Sequence, residues 1–359
     1  MTNTNEIRIG IIGLGFMGRT HLAAYRSAIA AGANARIAAV ADPNIERALA
    51  AATGNLSTGT APDLNAAALA RLIDGTERFS DAGRLIASGS VDVVSICTPT
   101  DTHVDLAIAA IKAGVHVLVE KPVATRSADV ARLIGVAREH PRILVMPAMC
   151  MRFWPGWPWL KEKIDAARTG GGEWGRFIGV TFQRLGSGPT WSKEFYADAT
   201  RSGGALVDLH IHDADFALWC FGAPLKVTCV GTLDHCTTMY RFSGEHAPAH
   251  IVAQGGWNHA PGFPFTMRYT ALFEGATAVF DLADPISPLR VYRANSTDTI
   301  DLPGVNGYEA EAAHMLAAIV ATRNGEPVTL RATLDDAMLV TKVLEAERQS
   351  QLNGGCQLV

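Results

Sequence analysis

The run GGALVDLHIHDAD (203–215) gathers Asp208, His210, His212, Asp213 and Asp215 in one short stretch. Carboxylates and imidazoles at this density suit either metal ligation or proton transfer. Their spacing distinguishes the two. On a strand, His210 and His212 share a face and read as a metal pair. On a helix they point apart, while Asp208, His212 and Asp215 (i, i+4, i+7) fall within about 60° of one another. The following FALWCFG keeps helical apolar spacing, and Ser202 with Gly203 and Gly204 suits a helix start. One helix over 203–221 is therefore expected. No other His/Asp/Glu cluster supplies further ligands, so no metal centre is expected, and His210 reads as a satisfied, partly buried side chain.

Three other stretches carry chemistry. GLGFMG follows an apolar run and opens a helical one. In that context Gly13 permits the tight turn, Gly15 lets a pyrophosphate approach the backbone, and Gly18 lets helix and strand pack. Phe16 and Met17 complete the turn, and the helix start offers N–H groups and a positive dipole end to phosphates. Asp42 ends the next strand, where a carboxylate accepts from both ribose hydroxyls and repels a 2′-phosphate. Pro43 and Asn44 supply no cation, which favours NAD. Arg19 and Arg47 lie close enough to keep NADP open. In CTPTDTH, Thr98 and Pro99 end a third strand and His103 opens a helix; a ligand crevice and an ordinary capped turn fit equally. In VLVEKPVA, Glu120 and Lys121 end a fourth strand before Pro122. A partly desolvated Lys121 there could lose affinity for its proton and donate it, or could simply pair with Glu120.

The elements that must position these residues follow from periodicity. Apolar runs at 7–13, 36–42, 91–98, 115–121 and 142–148 alternate with helical patterns, as in a doubly wound parallel sheet covered on both faces. After residue 150 come strand-like runs at 175–185, 224–233, 250–257, 265–275 and 277–283, interrupted only by the 203–221 helix. That pattern argues for a largely antiparallel sheet. Helices at 308–323 and 331–350 close the chain. The expected domains are 1–150 for dinucleotide binding and 151–359, an α+β domain. The segment 53–67 reads as a surface loop.

Composition excludes several classes. With 48% hydrophobic and 18% charged residues the chain is globular, and a net charge of −4 is no nucleic-acid footprint. The apolar runs are too short to span a bilayer. The six cysteines form no C-x-x-C pair and read as free thiols in a reducing, cytoplasmic setting.

GLGFMG, the strand-end Asp42, TPTDTH, EKP and GGALVDLHIHDAD occur in an order that resembles the glucose–fructose oxidoreductase/inositol dehydrogenase/MocA (Gfo/Idh/MocA) family. EKP with G-G-x-x-x-D-x-x-x-H is the specific part, and the resemblance extends to GYEAEAAHMLAAIVATRNGEPV near the end. It implies a Rossmann domain (α/β) followed by an open-faced, predominantly antiparallel α+β domain, a nicotinamide cofactor, and a sugar, inositol or related polyol as substrate. It implies that Lys121, Asp208 and His212 are catalytic. Arg152 and Asp215 would contact substrate, and Thr98, Pro99, His103 and Glu120 the cofactor. It also implies a cis Lys121–Pro122 bond and a homo-dimer or homo-tetramer. In this reading His212 exchanges the hydroxyl proton, Lys121 stabilises charge on the same oxygen, and Asp208 orients the pair. Trp154, Trp157, Trp159 and Trp191 could line a sugar pocket or pack an interface. Two alternatives stay open: an enzyme that retains NAD and oxidises its sugar transiently, and a non-catalytic dinucleotide sensor.

Overall fold

The computed structural model describes residues 5–50, 66–190 and 192–359. The loop expected over 53–67 lies outside them, except that its last two positions open the Ala66–Leu72 helix. Trp191 also lies outside.

Six strands form the first sheet: β1 (Ile7–Ile12), β2 (Ala35–Ala41), β3 (Glu77–Phe79), β4 (Val93–Ile96), β5 (His116–Val119) and β6 (Val145–Pro147). Every pairing is parallel, in the order β3-β2-β1-β4-β5-β6. The central strands are buried apart from the half-buried Arg8, which is why they read as nearly continuous apolar runs. The sequence pattern did not reveal β3. It has three residues (Glu-Arg-Phe), none of them buried, and lies at the sheet edge. The strand order reverses between β1 and β4, opening a crevice at their carboxyl ends.

The second sheet comprises β7 (Phe177–Ser187), β8 (Lys226–Thr232), β9 (His235–Arg241), β10 (His250–His259), β11 (Thr266–Phe273), β12 (Thr277–Asp281), β13 (Leu289–Tyr292), β14 (Thr297–Thr299) and β15 (Gln357–Leu358). Its order is β14-β13-β12-β11-β7-β10-β9-β8-β15. Only the central β7–β10 pair is parallel. Burial alternates along β10, β11 and β12, so one face packs and the other is open.

The closing helices, Gly307–Arg323 and Leu334–Asn353, each start at a capping box, Asn306 with Glu309 and Thr333 with Asp336. Residue 150 falls between the two sheets, but these helices cross that division. Gly307–Arg323 packs on the first helix, Phe16–Ala30, and Leu334–Asn353 packs on both β8 and the Ser127–Glu139 helix. The cysteines are all unpaired: four are buried, Cys97 is half-buried and Cys356 is exposed. Among the described residues no helix is long and apolar enough to cross a membrane.

Candidate active site

A cavity of about 780 Å³ opens at the β1/β4 reversal, a size that suits a small-molecule or cofactor site. Gly13, Leu14, Gly15, Phe16 and Met17 line one end with Asp42. Gly13 and Gly18 are needed there for space. A Cβ on Gly18 would sit 1.8 Å from the Gly13 carbonyl oxygen, and Gly13 has φ +87° with Cys97 O 2.7 Å from its missing Cβ. Gly15 has nothing within 4 Å of that position, so its backbone faces open space. Asp42 accepts from Leu14 N and Asn44 N, both at 2.9 Å, which ties the carboxylate to the glycine turn. Arg19 is not free to meet a 2′-phosphate: it donates to the carbonyls of Leu14 and Ala48. The side chain of Arg47 lies outside the described residues.

The far end of the cavity is built on β4 and β5. Thr98, Pro99, His103, Glu120 and Lys121 line it. The Lys121–Pro122 peptide is cis. His103 is buried, its ring nitrogens 2.9 Å from Pro122 O and 2.8 Å from Thr98 O, so it clamps the two strand-end turns together. Burial lowers its pKa, and the two carbonyls facing its ring nitrogens oppose that shift. The polar atoms of Glu120 also serve the fold. One oxygen meets His21 Nε2 at 2.8 Å and the other accepts from Lys121 N at 3.0 Å.

Lys121 Nζ donates to Asp208 twice, to its carbonyl at 2.8 Å and to its carboxylate at 3.1 Å. Both side chains keep some exposure, 13% and 14%. Burial opposes the ammonium, yet Asp208 and Glu120 outweigh it, and the Lys121 pKa is raised. The lowered value expected from desolvation alone is thus corrected, and Lys121 is a charged hydrogen-bond donor. His212 is held well below the usual histidine range by burial, reinforced by the cations Lys121 and Arg184. Its Nδ1 lies 3.9 Å from Cys150 Sγ.

The single helix expected over 203–221 is corrected. It is two helices, Gly204–Asp208 and Ile211–Phe221. Gly203 and Gly204 both have positive φ, and a Cβ on Gly204 would strike Leu233 O at 2.7 Å. The break falls at Leu209–His210, where His210 N reaches back to Ala205 O. In a continuous helix Asp208 O would accept from His212 N; here it accepts from Lys121.

Arg152 and Asp215 are corrected as well. They are only 2% exposed and form a two-pronged pair at 2.9 and 2.7 Å, with Asp336 3.0 Å from the same guanidinium. Neither lines the cavity. Asp215 shares a helix face with His212, but the partner that claims it is a cation from the 150–152 turn, which the local spacing does not display. Trp154 and Trp157 are buried in aromatic packing, Trp157 against Tyr269 and Phe280. Besides Phe16, the aromatic residues lining the cavity are Phe195 and Tyr196, together with Ser192. Their signal in the sequence was an aromatic pair just ahead of the glycine pair at 203–204. Among the described residues no group of three or more His, Cys, Asp or Glu could hold a metal ion.

Comparison with known proteins agrees with this geometry. Residues 7–148 match the oxidoreductase family with an NAD-binding Rossmann fold, and residues 162–281 match the GFO/IDH/MocA C-terminal domain. Inositol 2-dehydrogenase 4 of Saccharopolyspora erythraea is 26% identical over 77% of this chain and 74% of its own length. Three further relatives are matched over only 57%, 58% and 59% of their length. The structure of UDP-N-acetylglucosamine 3-dehydrogenase from Acidithiobacillus ferrooxidans superposes with a TM-score of 0.72 at 25% identity, covering 96% of this chain and 98% of that one. A levoglucosan dehydrogenase in complex with NADH and levoglucosan has the same fold, with a TM-score of 0.76 at 22% identity and 99% coverage of both chains. A parallel dinucleotide-type sheet, a glycine cradle facing a cavity and matches to both halves of one family together place this chain among the NAD-binding oxidoreductases of the GFO/IDH/MocA family.

Proposed function

We propose that this enzyme interconverts a carbinol and a carbonyl on a neutral sugar, inositol or related polyol. The bound nicotinamide supplies the hydride acceptor or donor. Gly13, Gly15, Phe16, Met17, Gly18 and Asp42 would hold its adenosine and phosphate end, with Thr98, Pro99 and the Glu120–Lys121 turn at the other. His212, neutral at physiological pH, accepts the hydroxyl proton during oxidation and returns it during reduction. Lys121, held as the ammonium, hydrogen-bonds the same oxygen as negative charge grows on it. Asp208 keeps Lys121 charged and aimed.

The observation that carries this reading is the Lys121–Asp208 pair lining the cavity's inner end, with His212 close enough for the Lys121 charge to depress its proton affinity. A neutral substrate follows from the charges. Of the side chains lining the cavity, Arg19 is tied at the adenosine end and Lys121 is paired with Asp208, so the described lining holds no cation placed to take a substrate phosphate. Phe195 and Tyr196 offer ring faces to the C–H face of a polyol. Asp42 supports NAD over NADP. The open face of the nine-stranded sheet, which exposes Val230, Met239 and Tyr292, supports a homo-dimer or homo-tetramer.

The test is an NADH-absorbance screen over inositols, aldoses, ketoses and their keto forms, alongside nucleotide sugars and sugar phosphates. Turnover confined to the charged substrates would overturn the neutral-substrate reading. Cofactor that survives dialysis, with no net turnover, would favour the retained-cofactor alternative.

A further inference from the structure

His210 lies between Asp208 and His212, on the side of the chain turned away from the cavity. It is fully buried. Its Nε2 is 3.0 Å from Glu347 Oε2 on the Leu334–Asn353 helix and 3.0 Å from Tyr240 Oη on β9. Glu347 is itself 0% exposed. The position is tight, since a Cβ on Gly255 of β10 would come within 2.7 Å of His210 Cβ. Three separate elements therefore grip one imidazole, and that imidazole sits at the helix break that leaves Asp208 O for Lys121. A buried ion pair is a poor source of stability but can fix a particular conformation.

We infer that His210, Tyr240 and Glu347 form a positioning cluster that holds the helix break open, so that the Asp208 carbonyl is presented to Lys121 instead of to His212 N. The three residues touch neither cavity nor substrate. They act through Asp208. The inference rests on the proposed proton-transfer role of Lys121 and His212, but part of its test needs no turnover.

Glu347→Gln keeps the volume and removes the carboxylate. Burial disfavours the imidazolium of His210, and Glu347 is the main group that offsets this. Without it His210 releases its proton. The cluster's net charge then stays at zero, and any change at Lys121 reports geometry rather than a distant charge. The groups that face Lys121 directly are Asp208, Glu120, Cys150, His103 and His212, and the substitution alters none of them.

The expected result is a Lys121 ammonium that titrates at lower pH in Glu347→Gln than in wild type, read from its ε-carbon NMR shift without substrate. NADH affinity should be unchanged. In turnover, kcat should fall about 10- to 100-fold with KM within about threefold, because a small displacement of a catalytic group is costly, and the alkaline limb of the pH profile should move down. Tyr240→Phe, a milder change, should move both readouts in the same direction by less. If either variant folds with wild-type Lys121 titration and wild-type kcat, the inference is wrong. If Lys121 shifts as expected but the wild type turns over no polyol, the positioning cluster stands and the proposed reaction falls.

Discussion

At the residue scale, the fold sets opposite charge states on two neighbouring groups. Lys121 is pinned as an ammonium by Asp208 and Glu120, while burial and two cations keep His212 neutral. A neutral base beside a fixed positive donor suits removal of a proton from a hydroxyl. Replacing His212 with Ala should therefore cost about 10²–10⁴-fold in kcat, with NADH binding intact because none of the proposed cofactor contacts involves His212. Full turnover of His212→Ala at neutral pH would remove it from the mechanism. The acid limb of kcat should also lie below the ordinary histidine range of about 6.5, since His212 resists protonation in the folded protein. A limb at or above that value would assign the base to another group.

Among the elements, the glycine turn and the helix break shape opposite ends of the cavity, and only the first was plain from sequence. GLGFMG, Asp42 and EKP could be placed because strand–turn–helix punctuation is local. Gly18→Ala would put a methyl against the Gly13 carbonyl, so NADH Kd should rise at least about tenfold as the turn opens; isothermal titration checks this. The broken helix was hidden because its cause is distant: Tyr240 and Glu347 lie far along the chain, and apolar periodicity passes through the break unchanged. Arg152 has the same kind of distant partners. The family resemblance implied a substrate contact, whereas Asp215 and Asp336 pair with it from two other elements. It thereby joins the 150–152 turn, the Ile211–Phe221 helix and the start of Leu334–Asn353. Arg152→Met should destabilise the protein by about 3–5 kcal/mol by leaving buried carboxylates without their cation. Arg152→Met with Asp215→Leu should recover part of that loss in chemical denaturation. Equal stability of wild type and Arg152→Met would deny the pair its structural role.

Across the whole molecule, the two sheets share an interior rich in titratable groups, and those groups make stability depend on pH. His103, His116, His212 and His314 all have lowered pKa values, with burial as the main cause. The unfolded chain protonates these histidines near pH 6.5, while the folded chain resists. Below that pH the unfolded state binds more protons, so stability falls with acidification, by up to about 1.4 kcal/mol per pH unit for each proton. His210 has the opposite sign: its raised pKa adds stability that is complete below about pH 6.5 and lost as pH rises through the folded value. Glu311 also opposes the trend. It is 1% exposed on the Gly307–Arg323 helix, and burial with Glu120 and Asp215 nearby raises its pKa well above the usual value. The folded state therefore keeps a proton that the unfolded state releases above about pH 4.3. With four histidines set against His210 and Glu311, Tm should decline between pH 7 and pH 5, and a flat or rising profile would contradict the assignment. Glu311→Gln isolates the opposing group, because the amide carries no proton to release. That variant should lose Tm more steeply toward acid than wild type and should gain stability relative to it as pH rises from 5 to 8. A parallel shift of the two Tm profiles would mean that Glu311 is ionised in the folded protein.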